Sequence, residues 1–403
     1  MNKLEKLIAS LCPRGVEYKT LGEVATDFYR GNGILRTQIT DAGIPCVRYG
    51  EIYTSYNTWF DTCISHTRIE YIPSPKYFEH GDILFSITGE KISEIGKSTV
   101  YVGHDKCLAG GDIVVMKHNQ NPKYMGYALS TNEAQQQKSK GKVKSKVVHL
   151  SVAELMAVVI PVPPLPVQEE IVRMLDEMAG LIDELEQELA ARKQQYEWYR
   201  DSYFRCSKAK RIAIKDIGVL TRGKRFVHAD AVESGVPCVH YGEIYTRYGV
   251  FADVAQSNIR RELGSKMRYA HKNDVIIVGA GENSDDIGIG VSWEGDCDVA
   301  VHDACYTLVH AQNPRYVSYF LRSKIYHSQI KRFVSEGKIC SISAEGVGRA
   351  LIPIPIRSEQ DAVAKSFDDF ELLCREVLPS EIALRKQQYE YYRDRLLTFK
   401  RVG

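Results

Sequence analysis

Hydrophobic and polar positions follow two different rhythms along this chain. In IPCVRYGEIY, DILFSIT and DIVVMK, β-branched and other apolar residues recur in short, partly alternating runs, which predicts strands. PKYMGYALSTNEAQQQ puts Pro122 at a first helical position and continues at helical spacing. Ser151 followed by Glu154 forms a capping box for a short helix ahead of the next apolar run. These mixed elements predict an α/β globular part of about 140 residues.

After the stiff IPVPPLP segment the rhythm changes. Ile171, Leu175, Met178, Ile182, Leu185, Leu189, Tyr196, Tyr199 and Tyr203 stand four and three apart, with Arg192 the one interruption. That spacing predicts a coiled-coil seam of nearly five heptads. Pro166, with Glu169 and Glu170 in the first turn, suits a helix start. At ~1.5 Å per residue, residues 167–204 would make a rod of roughly 57 Å. A second seam runs through Val363, Phe367, Phe370, Cys374, Tyr389, Tyr392 and Leu396, where Pro379 is expected to kink or interrupt the helix. The two helices can serve each other as antiparallel partners. Alternatively, each packs on its own domain or on a second chain.

The rhythms occur twice because the chain is duplicated. PCVRYGEIYT (residues 45–54) returns as PCVHYGEIYT 192 positions later, changing only Arg48 to His240. At the same offset HGDILFSITGE meets KNDVIIVGAGE, Gln120-Asn121-Pro122 meets Gln312-Asn313-Pro314, and IPVP meets IPIP. At 193, RKQQYEWYRD meets RKQQYEYYRD. The expected organisation is a first globular domain over residues 1–158, a long helix over 165–205, a second domain over 210–350 and a final helix over 358–400.

Composition changes this picture little. With 403 residues, 44% hydrophobic and 26% charged, the chain has the make-up of a soluble protein of two or more domains. The formal charge is only +2, so any affinity for nucleic acid must come from local patches. No apolar run reaches the roughly 18 residues of a membrane span. MNKLEKLIASLC places Lys3, Glu5 and Lys6 around a very short apolar stretch and does not read as a secretory signal. Ten scattered cysteines without a metal-ligand spacing point to free thiols in a reducing cytoplasm.

Candidate chemistry is sparse. IGKST resembles the end of a phosphate-binding loop, but the glycine required five positions before Gly96 is Lys91, and the twin IGIGV has no lysine. GAGENS lacks the third glycine of a dinucleotide fingerprint and reads as a turn after a strand. Asp82 and Glu90 bracket a strand without the lysine of a nuclease motif, and no nucleophile elbow, zinc-binding helix or Asp-Pro-Pro-Tyr-like methyltransferase tetrapeptide occurs. No cofactor or metal site is expected in the chain.

A polyanion surface is better represented. Lys138, Lys140, Lys142, Lys144 and Lys146 alternate with no acid between them; if extended, they share one face and could neutralise successive phosphates. The alternative is a solvated loop. A second basic stretch, Lys208 to Arg225, marks the passage into the second globular part, and can equally be a linker. Read as a strand, YGEIYT puts Tyr49, Glu51 and Tyr53 on one face, with Tyr241, Glu243 and Tyr245 in the twin. Such residues can contact bases or phosphates, or can simply build the shared scaffold. Positions that differ between copies are the better readout candidates: Arg48 against His240, the loop with Thr88, Glu90 and Lys91 against that with Glu282 and Asn283, and the lysine stripe against SEGKIC with Lys338.

Together LCPRGVEYKTLGEV, GDILFSITGE, IPVPPLPVQEEIVRMLD, RKQQYEWYRD and RKQQYEYYRDRLLTF, in this duplicated order, resemble the specificity subunit of type I restriction–modification enzymes over essentially the whole chain. The resemblance implies an α+β fold in which two target recognition domains, related by a pseudo-twofold repeat, are spaced by two helices in an antiparallel coiled coil. Each domain would read half of a split sequence in double-stranded DNA. The subunit would be inactive alone and would recruit two methyltransferase subunits, which carry S-adenosylmethionine and modify adenine. Motor–nuclease restriction subunits using ATP and Mg would join them. Target adenines would be flipped into the partner's pocket. A structural coiled-coil scaffold and a stand-alone DNA enzyme are the competing readings.

Overall fold

The computed structural model of the chain describes residues 3–139, 142–144 and 147–402. They divide into two compact units, one from residues 1–184 and 382–403 and the other from Leu185–Glu381. Among the described residues no helix is long and apolar enough to cross a membrane.

Both units are built on one topology. In the first, a five-stranded sheet runs in the order Ala25–Arg30, Ile113–His118, Ile83–Ser86, Ser98–Tyr101, Trp59–Phe60. The second unit repeats it as Gly218–Arg222, Cys305–His310, Val275–Val278, Gly290–Trp293, Phe251–Ala252. Only the last pairing is parallel in each. The middle strands, Ile83–Ser86 and Val275–Val278, are buried at every position, so their largely apolar runs belong to strands covered on both faces. A second five-stranded sheet, containing Ile44–Val47 and Cys107–Ala109 as a parallel pair, recurs around Val236–Val239 and Val299–Val301.

The strands expected at DILFSIT and DIVVMK are present as Ile83–Ser86 and Ile113–His118. IGKST is a turn, with Gly96 at φ +72°, leading into Ser98–Tyr101. The helix expected from Pro122 is split: Pro122–Ser130 ends where Thr131 caps Asn132–Lys138, its side chain accepting from the Ala134 N–H. The Ser151–Glu154 capping box forms as the residues dictate.

YGEIYT corrects the strand reading. The strand stops at Val47, and Tyr49–Thr54 is a short helix, as is Tyr241–Thr246. Glu51 sits at the third helical position and accepts the Arg48 N–H at 3.0 Å; Glu243 does the same for His240 at 2.8 Å. A capping bond of this kind overrides the apparent period of two.

The long helix is Leu165–Cys206. In the second unit its end runs antiparallel to Arg357–Leu372. Tyr196 and Tyr199 meet Phe370 at ring distances of 6.3 and 5.9 Å, and further along Tyr203 and Phe204 meet Phe367. In the first unit Val167, Ile171 and Leu175 share a core with Leu397, with Tyr389 and Leu396 packed against it. Ile182 is buried, while Met178, Leu185 and Leu189 are half-buried, and Val363 and Phe370 flank the buried Phe367.

Pro379 does not interrupt the last helix. A π-helical turn, Leu373–Val377, precedes it, and Leu378–Leu396 continues as α-helix. The wider turn removes the contact that a proline ring makes with the carbonyl four residues earlier. Tyr392, expected in the seam, is exposed like its counterpart Tyr199, and Arg393 beside it is half-buried, while Tyr389 and Leu396 keep their places against the core.

Residues 12–18 and 397–402 close the first unit together. The Val16 N–H donates to the Lys400 carbonyl at 2.8 Å, and Tyr18 bonds Phe399 in both directions. At the matching place in the second unit the chain simply runs on through Lys208 and Ala209.

Candidate nucleic-acid interface

Three backbone elements meet at the same corner of each unit. In the first they are the loop 31–36, the Tyr49–Thr54 helix and the strand Thr88–Gly89, to which the hairpin of Lys142–Lys144 and Val147–His149 is paired. Gly31 lets the loop in: a Cβ there would stand 2.2 Å from the Gly110 carbonyl oxygen. Gly33–Arg36, Arg48–Glu51, Thr54, Gly111 and Asp112 line an open groove of about 520 Å³. Tyr53 bridges to the next element, since its hydroxyl lies against Gly89. Thr88 Oγ1 lies 3.2 Å from His149 Nδ1, which ties the strand to the hairpin.

Within this corner the candidate residues have separate roles. Tyr49 is exposed on the groove, and Arg48 is held beside it with Nε donating to Glu51 at 3.1 Å. Glu51 itself is buried, and also accepts from Ser65 Oγ at 2.7 Å. All this bonding is spent inside the protein, so Glu51 organises the corner and is not free to read a base. Glu90 and Lys91 are exposed, and Lys91 pairs with Glu94 at 3.1 Å.

The lysine stripe is not one extended face. Lys138 ends a helix, is buried, and donates from Nζ to the Leu129 carbonyl at 2.9 Å. Burial alone pushes its pKa down to about 7. Lys142 and Lys144 lie in a strand, as an alternating pattern requires. Lys140 and Lys146 lie outside the described residues.

The second unit repeats the corner with different side chains. Its loop 223–228 enters through Gly223, where a Cβ would stand 2.2 Å from the His302 carbonyl oxygen. His240 takes the place of Arg48, and rings cluster there: His240 lies 4.5 Å from His302 and 4.3 Å from Tyr241, and Phe226 lies 4.8 Å from His302. Burial, then His302 and His228, push the His240 pKa down to about 4, so its ring is neutral at pH 7. Glu243 is buried like Glu51, and Ser257 donates to it. Tyr245 is half-buried. Ala280–Gly281 pairs with Cys340–Ser341, and Glu282, Asn283 and Lys338 are exposed around this ladder.

Sequence reasoning missed the loop 31–36 and read Lys224 and Arg225 only as the end of a basic stretch that can be a linker, although the 192-residue offset aligns RGNGILR with RGKRFVH. It also missed what anchors each domain to its helix. Gln168 accepts the Asn121 N–H at 3.0 Å and donates to Gln120 and to the Pro163 carbonyl; Gln360 does the same for Asn313, Gln312 and Pro355.

A family model described as the DNA specificity domain of type I restriction–modification systems matches residues 13–192. The chain is 30% identical, over 282 residues, to a putative type I restriction enzyme specificity subunit of Haemophilus influenzae, covering 64% of this chain and 68% of that one. It is 27% identical over 253 residues to the EcoR124I/EcoR124II specificity subunit of Escherichia coli, covering 59% and 61%. Its fold is similar to a chain in a solved type I restriction–modification assembly, with a TM-score of 0.65 at 14% identity over 96% of this chain and 98% of that one. The HsdS subunit from Thermoanaerobacter tengcongensis is also similar, with a TM-score of 0.54 at 13% identity and 96% of both chains covered. A twice-built scaffold with two unlike surfaces at one corner, together with this likeness in sequence, places the chain in the family of type I restriction enzyme specificity subunits.

Proposed function

We propose that this chain is the non-catalytic DNA-reading subunit of a type I restriction–modification complex. Each unit reads one half of a bipartite duplex sequence. The long helices set the spacing between the halves and dock two methyltransferase subunits, which supply S-adenosylmethionine and the adenine-modifying site. Restriction subunits that use ATP and Mg complete the complex.

One observation carries this reading: two units whose five-stranded sheets share one strand order present different residues at the same corner. Shared glycines, buried glutamates and strand registers keep the backbone constant, while Arg48, Gly110 and Ile34 become His240, His302 and Phe226. Constant backbone with variable side chains is what reading two unlike half-sites from one scaffold requires.

The test is an exchange. Replacing residues 1–158 by the matching segment of a relative, in cells that supply the partner subunits, should change one half of the sequence in which adenines are methylated. The other half should stay as it was. A change in both halves, or in neither, would refute the two-reader arrangement. Methyl transfer to DNA by the purified chain alone would refute the non-catalytic role.

A further inference from the structure

We propose that the second unit grips the sugar–phosphate backbone of duplex DNA through the loop 223–228, with Lys224 and Arg225 as its phosphate contacts. This rests on the DNA-reading role argued above and assigns the contact within it.

The loop is presented from a fixed backbone. The Gly223 N–H donates to the Cys305 carbonyl at 3.0 Å, and the Lys224 N–H to Val301 at 2.9 Å. Phe226 is buried against the His302 ring, whose Nε2 lies 3.0 Å from the Phe226 carbonyl oxygen. Lys224 and Arg225 therefore project from a segment anchored on both sides. Less conformational freedom is lost on binding than with a loose basic loop.

Among the described residues the charges on this segment make no ion pair. In the first unit Arg30 is ion-paired with Asp112. The matching residues in the second unit are Arg222 and Ala304, and Arg222 Nε donates instead to the Asp303 carbonyl at 2.7 Å. Lys224 and Arg225 replace Asn32 and Gly33, are exposed, and make no ion pair among the described residues. Of the nearby acids, Asp230 faces Arg260 at 3.7 Å, and Asp303, 3.4 Å from a His302 ring that burial keeps from protonating, makes no ion pair with Lys224 or Arg225. Three cations within four residues repel one another, and a polyanion removes that repulsion.

The location selects DNA as the polyanion, because the loop borders the His240–Tyr241 corner assigned above to reading. At the positions matching Lys142 and Lys144 the second unit has Val334 and Glu336. The hairpin around Ser341 offers Lys338 beside Glu336, whereas the first unit has Lys142 and Lys144 on its hairpin and two uncharged residues at 32 and 33. The two units carry their cations on different elements of one scaffold.

The test is the salt dependence of binding by the full-length chain to a labelled random-sequence duplex. Each phosphate contact contributes about 0.9 to the slope of log K against log salt. The double variant Lys224→Ser, Arg225→Ser should lower the slope by about 1–2 and bind roughly tenfold more weakly at ~0.1 M salt, with its melting temperature unchanged. Lys208→Ser, Lys210→Ser removes two exposed cations elsewhere and should leave the slope as in the parent. An unchanged slope in the first variant, or an equal fall in the second, overturns the assignment. A parent chain whose binding shows no salt dependence would instead remove the DNA-reading role, and this contact with it.

Discussion

The phenol hydroxyl of Tyr127 donates to the Asp176 carboxylate of the long helix at 2.6 Å. In the twin unit Tyr319 donates to Asp368, also at 2.6 Å. The second carboxylate oxygen takes Lys123 in one unit and Arg315 in the other, at 2.6 and 2.8 Å. One aspartate thus joins a helix of the globular part to a long helix, through a half-buried charge with two donors. Asp176→Ala leaves the Tyr127 hydroxyl without this acceptor and Lys123 without its counter-charge. We expect a loss of about 2–3 kcal/mol, since bonds to charged groups are the stronger ones. Urea unfolding should show it, with Asp368→Ala giving a similar loss. A change below ~0.5 kcal/mol at both positions would mean that the bonds do not fasten the helix.

Glu51 gives a second expectation, because the structure makes it an organiser. Removing its side chain deprives the Arg48 N–H, the Arg48 guanidinium and the Ser65 hydroxyl of one shared acceptor. Glu51→Ala should destabilise the first unit by about 2–3 kcal/mol. Tyr49→Phe, on the exposed neighbour, should leave the melting temperature within about 1 °C. Equal melting temperatures for the two variants would return Glu51 to the list of free groove residues.

Which parts of this were legible in the sequence follows from where the information is stored. The duplication, the buried strands and the seam are repeated apolar patterns, and burial in the fold produced them. The helix at YGEIYT was hidden because six residues cannot establish a period, and because the bond that decides it joins Glu51 to its own cap. Lys138 was misplaced because spacing alone does not reveal that Ile330 is its twin. The aspartate anchors were in plain view at the 192-residue offset. Nothing in residue type distinguishes Asp176 from the other acids of a charged helix until Tyr127 is folded against it.

The loop glycines divide sharply by what surrounds them. A Cβ on Gly31 would stand 2.2 Å from the Gly110 carbonyl oxygen, whereas a Cβ on Gly33 would meet nothing within 4 Å. Gly31→Ala must move backbone and should lower stability by about 1–3 kcal/mol. Gly33→Ala should be neutral or slightly stabilising, because it restricts the unfolded chain. Thermal melting of the two variants side by side decides it, and the reverse order would mean that the loop does not enter as described.

Lys138 is a buried amine at a position where the twin unit has the buried Ile330. Its pKa falls from 10.5 to about 7 through burial. The unfolded chain therefore binds more protons than the folded one between those two values, and stability rises with pH across that window. Below pH ~7 the amine is charged in both states and the penalty is constant. At pH 7 the penalty is up to about 4 kcal/mol, at 1.36 kcal/mol per unit. Lys138→Ile removes it but takes the Nζ donor from the Leu129 carbonyl, which costs about 1–2 kcal/mol. The variant should be more stable than the parent by roughly 2–3 kcal/mol at pH 7. That advantage should shrink and then reverse as the pH approaches 10.5, where the parent amine is half neutral even when unfolded. Denaturant midpoints measured from pH 6 to 10 would display the crossing. A constant difference across that range would mean that the lysine reaches solvent.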